Sequence, residues 1–198
     1  MCEDIKEIEC SSDNSVDDEF TFENFIVGES NKFAYDLALA VAEGRNKLHY
    51  NPLYIYGESG LGKTHLLHAV RNHIKTKYPE RNVAYINGFE FIEELVLYIK
   101  QDKINEFREK YTSPDILLVD DTQFLEGWSA TQQEFLYIYN ALLEHGKQII
   151  FTADKPVEEL YKVADTVRTR LISGISAQIL PYDKILHKSI NKMYGEKL

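Results

Sequence analysis

The 198-residue chain has little cysteine, methionine, proline or tryptophan: two, two, five and one of each. Both cysteines, Cys2 and Cys10, sit in the first ten residues, at a spacing that matches no common zinc-ligand pair. That argues against a disulfide scaffold or a zinc module, and reads as two free thiols in a reducing cytosol. No apolar run approaches the roughly 18 consecutive residues of a membrane span, and the N-terminus lacks the basic-then-apolar order of a secretion signal. The expectation is a cytoplasmic protein with no membrane partner. Internal repeats and low-complexity tracts are also missing.

Positive charge is the remaining shortage, with 22 Lys and Arg against 32 Asp and Glu and a net charge of −10. Residues 1–23 hold nine of the acidic residues and a single lysine, so they carry eight of the ten excess negative charges. The rest of the chain is close to neutral, with both signs interspersed. Such a body neither requires nor excludes a polyanionic partner, because a local basic patch suffices. Residues 1–19 are polar and acidic enough to be expected disordered, and the domain boundary is placed near Phe20.

What the chain does have is Gly57-Glu58-Ser59-Gly60-Leu61-Gly62-Lys63-Thr64, preceded by the apolar run Leu53–Tyr56 and followed by a segment of helical character from His65 to Lys77. A strand, a glycine-rich turn and a helix are the context a phosphate-binding loop requires. Glycines let successive N–H groups point inward at an anion held at the positive end of the helix. Lys63 then reaches the β- and γ-phosphates, and Thr64 offers a hard oxygen to Mg²⁺. The candidate cofactors are ATP and Mg²⁺, with Gly57, Gly60, Leu61, Gly62, Lys63 and Thr64 as binding residues.

Four further strands are expected at Val83–Asn87, Asp115–Asp121, Gln148–Ala153 and Ala177–Leu180. Helical segments are expected at Asn31–Glu43, Phe89–Lys100, Lys103–Tyr111, Thr131–His145 and Val157–Tyr161. In the first helix Phe33, Leu37, Leu39 and Ala40 are placed on or near the inner face, with Gly44 as its stop. Alternating strands and helices imply an α/β fold with a parallel sheet covered on both faces and a ligand at its carboxyl edge.

Two strands deliver polar groups to that edge. Ile116–Val119 ends in Asp120 and Asp121, of which Asp120 is assigned to the metal, opposite Thr64, and Asp121 to the base that orients or deprotonates an attacking water. Gln148–Ala153 is followed by Asp154, which, with Thr152 as the lesser candidate, is placed to contact the nucleophilic water or the γ-phosphate network. Arg168 and Arg170 read either as solvated surface charges or as phosphate partners, since a guanidinium donates two parallel hydrogen bonds to phosphate. An arginine acting in a neighbour's site makes hydrolysis depend on assembly.

Phe22–Asn31, Tyr50–Gly57 with the loop that follows, and Leu117–Phe124 together resemble the AAA+ ATPase domain of bacterial replication initiators of the DnaA family, over about Phe20 to Leu180. The resemblance implies a five-stranded parallel sheet of order 5-1-4-3-2 flanked by helices. It makes Asp120 and Asp121 the Walker B pair, Asp154 the sensor I residue and Arg170 the arginine finger that reads ATP in the adjacent protomer. Phe89–Tyr111 takes the place of the helical insertion that marks initiators, and the opening Phe-Ile-Val-Gly segment that of the wrap around adenine.

The departures from the family are as informative. Only Pro181–Leu198 follow the last strand, enough for one helix of the lid, so the lid arginine and the origin-reading helix-turn-helix domain are expected to be absent. Where initiators commonly present basic residues to single-stranded DNA, Trp128 and Ala130 stand. Losing two cations removes about two counterions' worth of affinity, although Trp128 stacked on a base is worth about 1–3 kcal/mol.

The expectation is an ATP-binding module that acts in replication initiation or its control through ATP-dependent assembly, with binding more prominent than turnover. The expected partner is a second copy or a full-length initiator. The alternatives are an adaptor that regulates such an initiator and a helicase-loader-like ATPase on single-stranded DNA. A small-molecule kinase fits less well, because nothing resembles an acceptor lid or an arginine cluster for a second phosphate.

Overall fold

Apolar runs such as Leu53–Ile55, Ile116–Val119 and Ile149–Phe151 leave no polar face for solvent, so each has to become a strand covered on both sides. The structure, a computed structural model, describes residues 19–45 and 50–182 and bears this out. The elements run α1 (Lys32–Ala42), β1 (Leu53–Tyr56), α2 (Lys63–Lys77), β2 (Val83–Asn87), α3 (Gly88–Lys100), α4 (Ile104–Thr112) and β3 (Ile116–Asp120). They continue with α5 (Ser129–Glu144), β4 (Gln148–Ala153), α6 (Asp165–Leu171) and β5 (Ile175–Gln178). Single 3₁₀ turns occupy Thr122–Leu125 and Val157–Glu159. The acidic lead-in with Cys2 and Cys10, and nearly all of the segment expected to form a lid helix, lie outside the described residues.

The strands form one parallel five-stranded sheet of order β2-β3-β4-β1-β5, the order the resemblance implies read from the other edge. Strand alternation sends Leu53, Ile55, Leu118 and Ile150 to one face, where they share a core with Leu66, Val70 and Ile74 of α2 and Leu37 and Val41 of α1. It sends Tyr54, Leu117, Val119 and Phe151 to the other, with Phe91 of α3, Phe107 and Tyr111 of α4, Phe135 and Tyr139 of α5 and Leu171 of α6. Phe22 and Phe25 bury in the first core, and the rings of Phe20, Phe22 and Phe25 stack or meet edge-on with histidines of α2.

Several expectations shift. In α1 Leu37 is buried and Leu39 packs against the core as expected, but the rest of the inner face is Ala34, Ala38, Val41 and Ala42, whereas Phe33 is 55% exposed. Gly44 does end the segment, at φ 72° with its N–H on Val41 O. The last strand begins at Ile175 because its register is set by pairing with β1, Leu53 opposite Ile175. The helix expected over Val157–Tyr161 is only a 3₁₀ turn, entered by Pro156. A real helix, α6, follows it, which the mixed polarity of its seven residues conceals.

Candidate functional site

The carboxyl ends of β1, β3 and β4 and the start of α2 converge. Gly57 donates its N–H to Ala153 O at 3.2 Å as the chain leaves β1, and a Cβ there would stand 2.4 Å from the carbonyl oxygen of Ile179, so only glycine allows this approach. Gly62 adopts φ 90°, where a side chain is strained, and a Cβ would meet the Phe25 ring at 3.0 Å. α2 starts directly after it with no side-chain cap, which leaves its first N–H groups facing the loop. Glu58, Ser59 and Gly60 are exposed and Leu61 is buried beneath them.

Lys63 is 7% exposed, and its Nζ donates to Gly57 O at 2.7 Å and Glu58 O at 2.8 Å, so the ammonium spans the loop. Burial pushes its pKa down, against the pull of the Asp121, Asp120 and Asp154 carboxylates. Thr64 is open to solvent, and its hydroxyl donates to Asp120 Oδ2 at 2.7 Å. The two residues the sequence places on opposite sides of a metal are thus in contact.

Asp120 and Asp121 are adjacent in sequence and separate in role because the chain turns between them. Asp120, 2% exposed, continues the alternation of β3 toward α2. Asp121 sits in the left-handed region at φ 58°, ψ 52°, and its carboxylate accepts from Gln123 Nε2 at 3.1 Å and faces Asn87 Nδ2 at 3.5 Å. Asn87 also caps α3, accepting from Phe89 N at 2.9 Å while Glu90 accepts from Asn87 N at 3.3 Å. That Asn-x-x-Glu capping signature was legible in the sequence, but Asn87 had no reason there to be linked to Asp121.

At the end of β4 the two candidates sit in different surroundings. Thr152 is fully buried, donates its hydroxyl to Asp120 Oδ1, and accepts from Asp121 N at 3.1 Å. Asp154 is exposed, its N–H on Gln123 Oε1 at 3.3 Å, and its carboxylate acts on Lys63 only through space. Alternation explains this: Thr152 still belongs to the strand and points toward α2, while Asp154 has left it.

Beside the loop, the Asn31 side chain accepts from Gly28 N at 2.8 Å and donates to Ile26 O at 3.0 Å, while Leu180 N reaches Ser30 O at 3.0 Å. These contacts fix the Phe-Ile-Val-Gly segment against the end of β5. Arg170 lies elsewhere, on α6, in a groove of about 490 Å³ shared with Leu136 and Asn140 of α5. The buried Tyr139 hydroxyl donates to Arg170 O at 3.0 Å and anchors that end of α6. Arg168 pairs with Asp165, but among the described residues the Arg170 guanidinium has no hydrogen-bond or ion-pair partner. Trp128 is 58% exposed at the start of α5, on a loop tied down by Lys155–Glu126 at 2.7 Å.

The donors fit a nucleotide with its cation. Among the described residues no group of three or more His, Cys, Asp and Glu side chains could hold a metal alone. A cation here would take Thr64, Asp120, water and phosphate oxygens, which is the habit of Mg²⁺. No helix among the described residues is long and apolar enough to cross a membrane.

Comparison with known proteins agrees. Residues 16–178 match the family model described as the bacterial DnaA ATPase domain. The chromosomal replication initiator DnaA of Deinococcus deserti is 45% identical over 177 residues, 89% of this chain and 39% of the relative. The chain therefore spans about two fifths of the length of the curated relatives it matches. Domain III of Thermotoga maritima DnaA is 43% identical with a TM-score of 0.85, the match covering 89% of this chain and 73% of that one. A replication initiator DnaA solved with AMPPCP and single-stranded DNA is 39% identical with a TM-score of 0.83, over 91% of this chain and 57% of that one.

Proposed function

The chain belongs to the family of bacterial DnaA ATPase domains, and from that membership we propose that residues 20–180 bind ATP with Mg²⁺ and that the bound triphosphate governs assembly with another AAA+ subunit in replication initiation or its control. The observation that carries the reading is the buried Asp120 carboxylate held 2.7 Å from Thr64, at the mouth of an uncapped helix N-terminus spanned by Lys63. The AMPPCP in a relative of the same fold supports it.

In this reading the N–H groups of Gly60, Leu61, Gly62 and Lys63 would hold the phosphates, and Lys63, now bonded to Gly57 O and Glu58 O, would supply a positive charge to them. Thr64 and Asp120 are the residues that would hold Mg²⁺, and the ion would supply charge neutralisation for the phosphates. Asp121, aimed by Gln123 and Asn87, orients the attacking water and accepts its proton. Thr152 and Asp154 link the end of β4 to the γ-phosphate, and Phe25 to Gly28 border the adenine. Arg170 projects from the chain and completes the site of an adjacent subunit, either a second copy or a full-length initiator. Single-stranded DNA is a further candidate partner, with Trp128 as its stacking surface. Such a role places the protein in the cytoplasm.

Equilibrium titration with ATP in Mg²⁺, followed by sizing with ADP and with AMPPCP, tests the reading. One nucleotide per chain and a larger species with AMPPCP than with ADP are expected. Failure to bind ATP at millimolar concentration overturns it.

A further inference from the structure

Asp120 is a buried carboxylate with no cation within ion-pair distance among the described residues, and it is held instead by three hydroxyls. Two of these, Thr64 and Thr152, belong to segments already discussed. The third is Tyr85 of β2, whose hydroxyl donates to Asp120 Oδ2 at 3.1 Å.

β2 pairs with β3 with Tyr85 opposite Leu118 and Asn87 opposite Asp120. Tyr85 therefore shares the α2 face of the sheet with Leu118 and Asp120, and its long ring reaches the carboxylate one pleat further on. The ring is held in place: the His68 ring of α2 lies 4.5 Å from it, centroid to centroid, and the Arg71 guanidinium 5.8 Å above it. Burial, and then the Asp120 charge, push the Tyr85 hydroxyl pKa upward, so it stays a donor.

β3 lies between β2 and β4, so Tyr85 and Thr152 grip the carboxylate from opposite sides, one on each oxygen. The Thr64 bond is different, since it comes from the helix end that faces the loop. A cation held by Thr64 and Asp120 would compete with that bond, whereas the lateral two come from outside the loop. A ligand carboxylate held by outer partners is already oriented when the metal arrives, and loses affinity when those partners are removed.

We infer that Tyr85 is a positioning residue for the divalent cation: by its hydrogen bond to Asp120 it tunes the metal-dependent part of nucleotide affinity. The inference rests on the proposed Mg-ATP reading. AMPPCP affinity is measured in excess Mg²⁺ and in EDTA for the wild type, Tyr85→Phe, Asp120→Asn and the double variant. Tyr85→Phe is expected to weaken binding about tenfold in Mg²⁺ and less than about twofold in EDTA, with no further loss in the Asp120→Asn background.

Equal losses in Mg²⁺ and EDTA, loss of all binding, or full retention in Mg²⁺ each overturn the inference. The first two would make Tyr85 a packing residue only. A wild type that binds no nucleotide would instead overturn the Mg-ATP reading itself, so the two failures are told apart.

Discussion

Lys63 and Arg170 are two of the cations the sequence singles out, and the fold treats them in opposite ways. Lys63 is buried, with two carbonyls of its own loop as partners and three carboxylates pulling on its charge. Arg170 stands on a short helix in a groove, its backbone anchored by Tyr139 and its guanidinium without a hydrogen-bond or ion-pair partner among the described residues. A fixed side chain ordered by its own fold marks a site complete within one chain. In the proposed reading a fixed backbone presenting an exposed charge supplies half of a shared site. Arginine suits the second task, because its planar fork matches phosphate without requiring a preformed cage.

The largest expected effect falls on the complete site. Lys63→Ala should weaken ATP binding by about 100-fold or more, read by calorimetric titration, because it removes the charge that spans the loop and reaches the phosphates. Retained affinity would erase the contrast. Gly62→Val comes next: a β-branched residue at φ 90°, pressed against Phe25, is expected to cost about 1–3 kcal/mol of stability in urea unfolding and to lower nucleotide affinity in parallel.

Arg170→Ala should leave ATP affinity within about twofold while weakening the AMPPCP-dependent complex about tenfold or more by sedimentation, since an arginine finger acts on a neighbour's phosphate. A drop in ATP affinity of the isolated chain would show that Arg170 serves its own site.

The smallest effect sharpens the boundary of the complete site. His65 and His73 of α2 are both pushed below their ordinary pKa, first by burial. Their folded-state values thus lie below the unfolded value near 6.5, and as the pH falls through that value the unfolded chain takes up protons that the folded chain does not. Thermal stability should therefore decline from about pH 6.5 downward, and less steeply in a His65→Gln variant. An unchanged slope would remove His65 from the account.

How much was legible follows from the range of the signals. The loop from Gly57 to Thr64, the strand that enters it and the helix that leaves it are a contiguous pattern, and the structure reproduces them. Phe33 misled because it is apolar at a helical spacing, whereas burial in α1 was decided by which face could approach the sheet closely, and alanines could. Thr152 ranked below Asp154 because a carboxylate is the more conspicuous functional group. The alternation of β4 buries the hydroxyl and leaves the charge outside. Tyr85 gave no sign, being one of 13 tyrosines in an unremarkable strand.

The sequence alone determined the order of the strands and of the helices as far as α5, the phosphate-binding loop and the two carboxylates at the end of β3, because each is written in consecutive residues with a short physical period. Only the tertiary structure decided that Thr64, Tyr85 and Thr152, which lie 56, 35 and 32 residues from Asp120 in the chain, close around a single carboxylate, and that the Arg170 guanidinium has no hydrogen-bond or ion-pair partner among the described residues. Those meetings depend on which strands become neighbours and on which side of the sheet α2 lies. That choice is made by burying two large apolar faces at once, a sum over the whole domain that no local stretch of sequence contains.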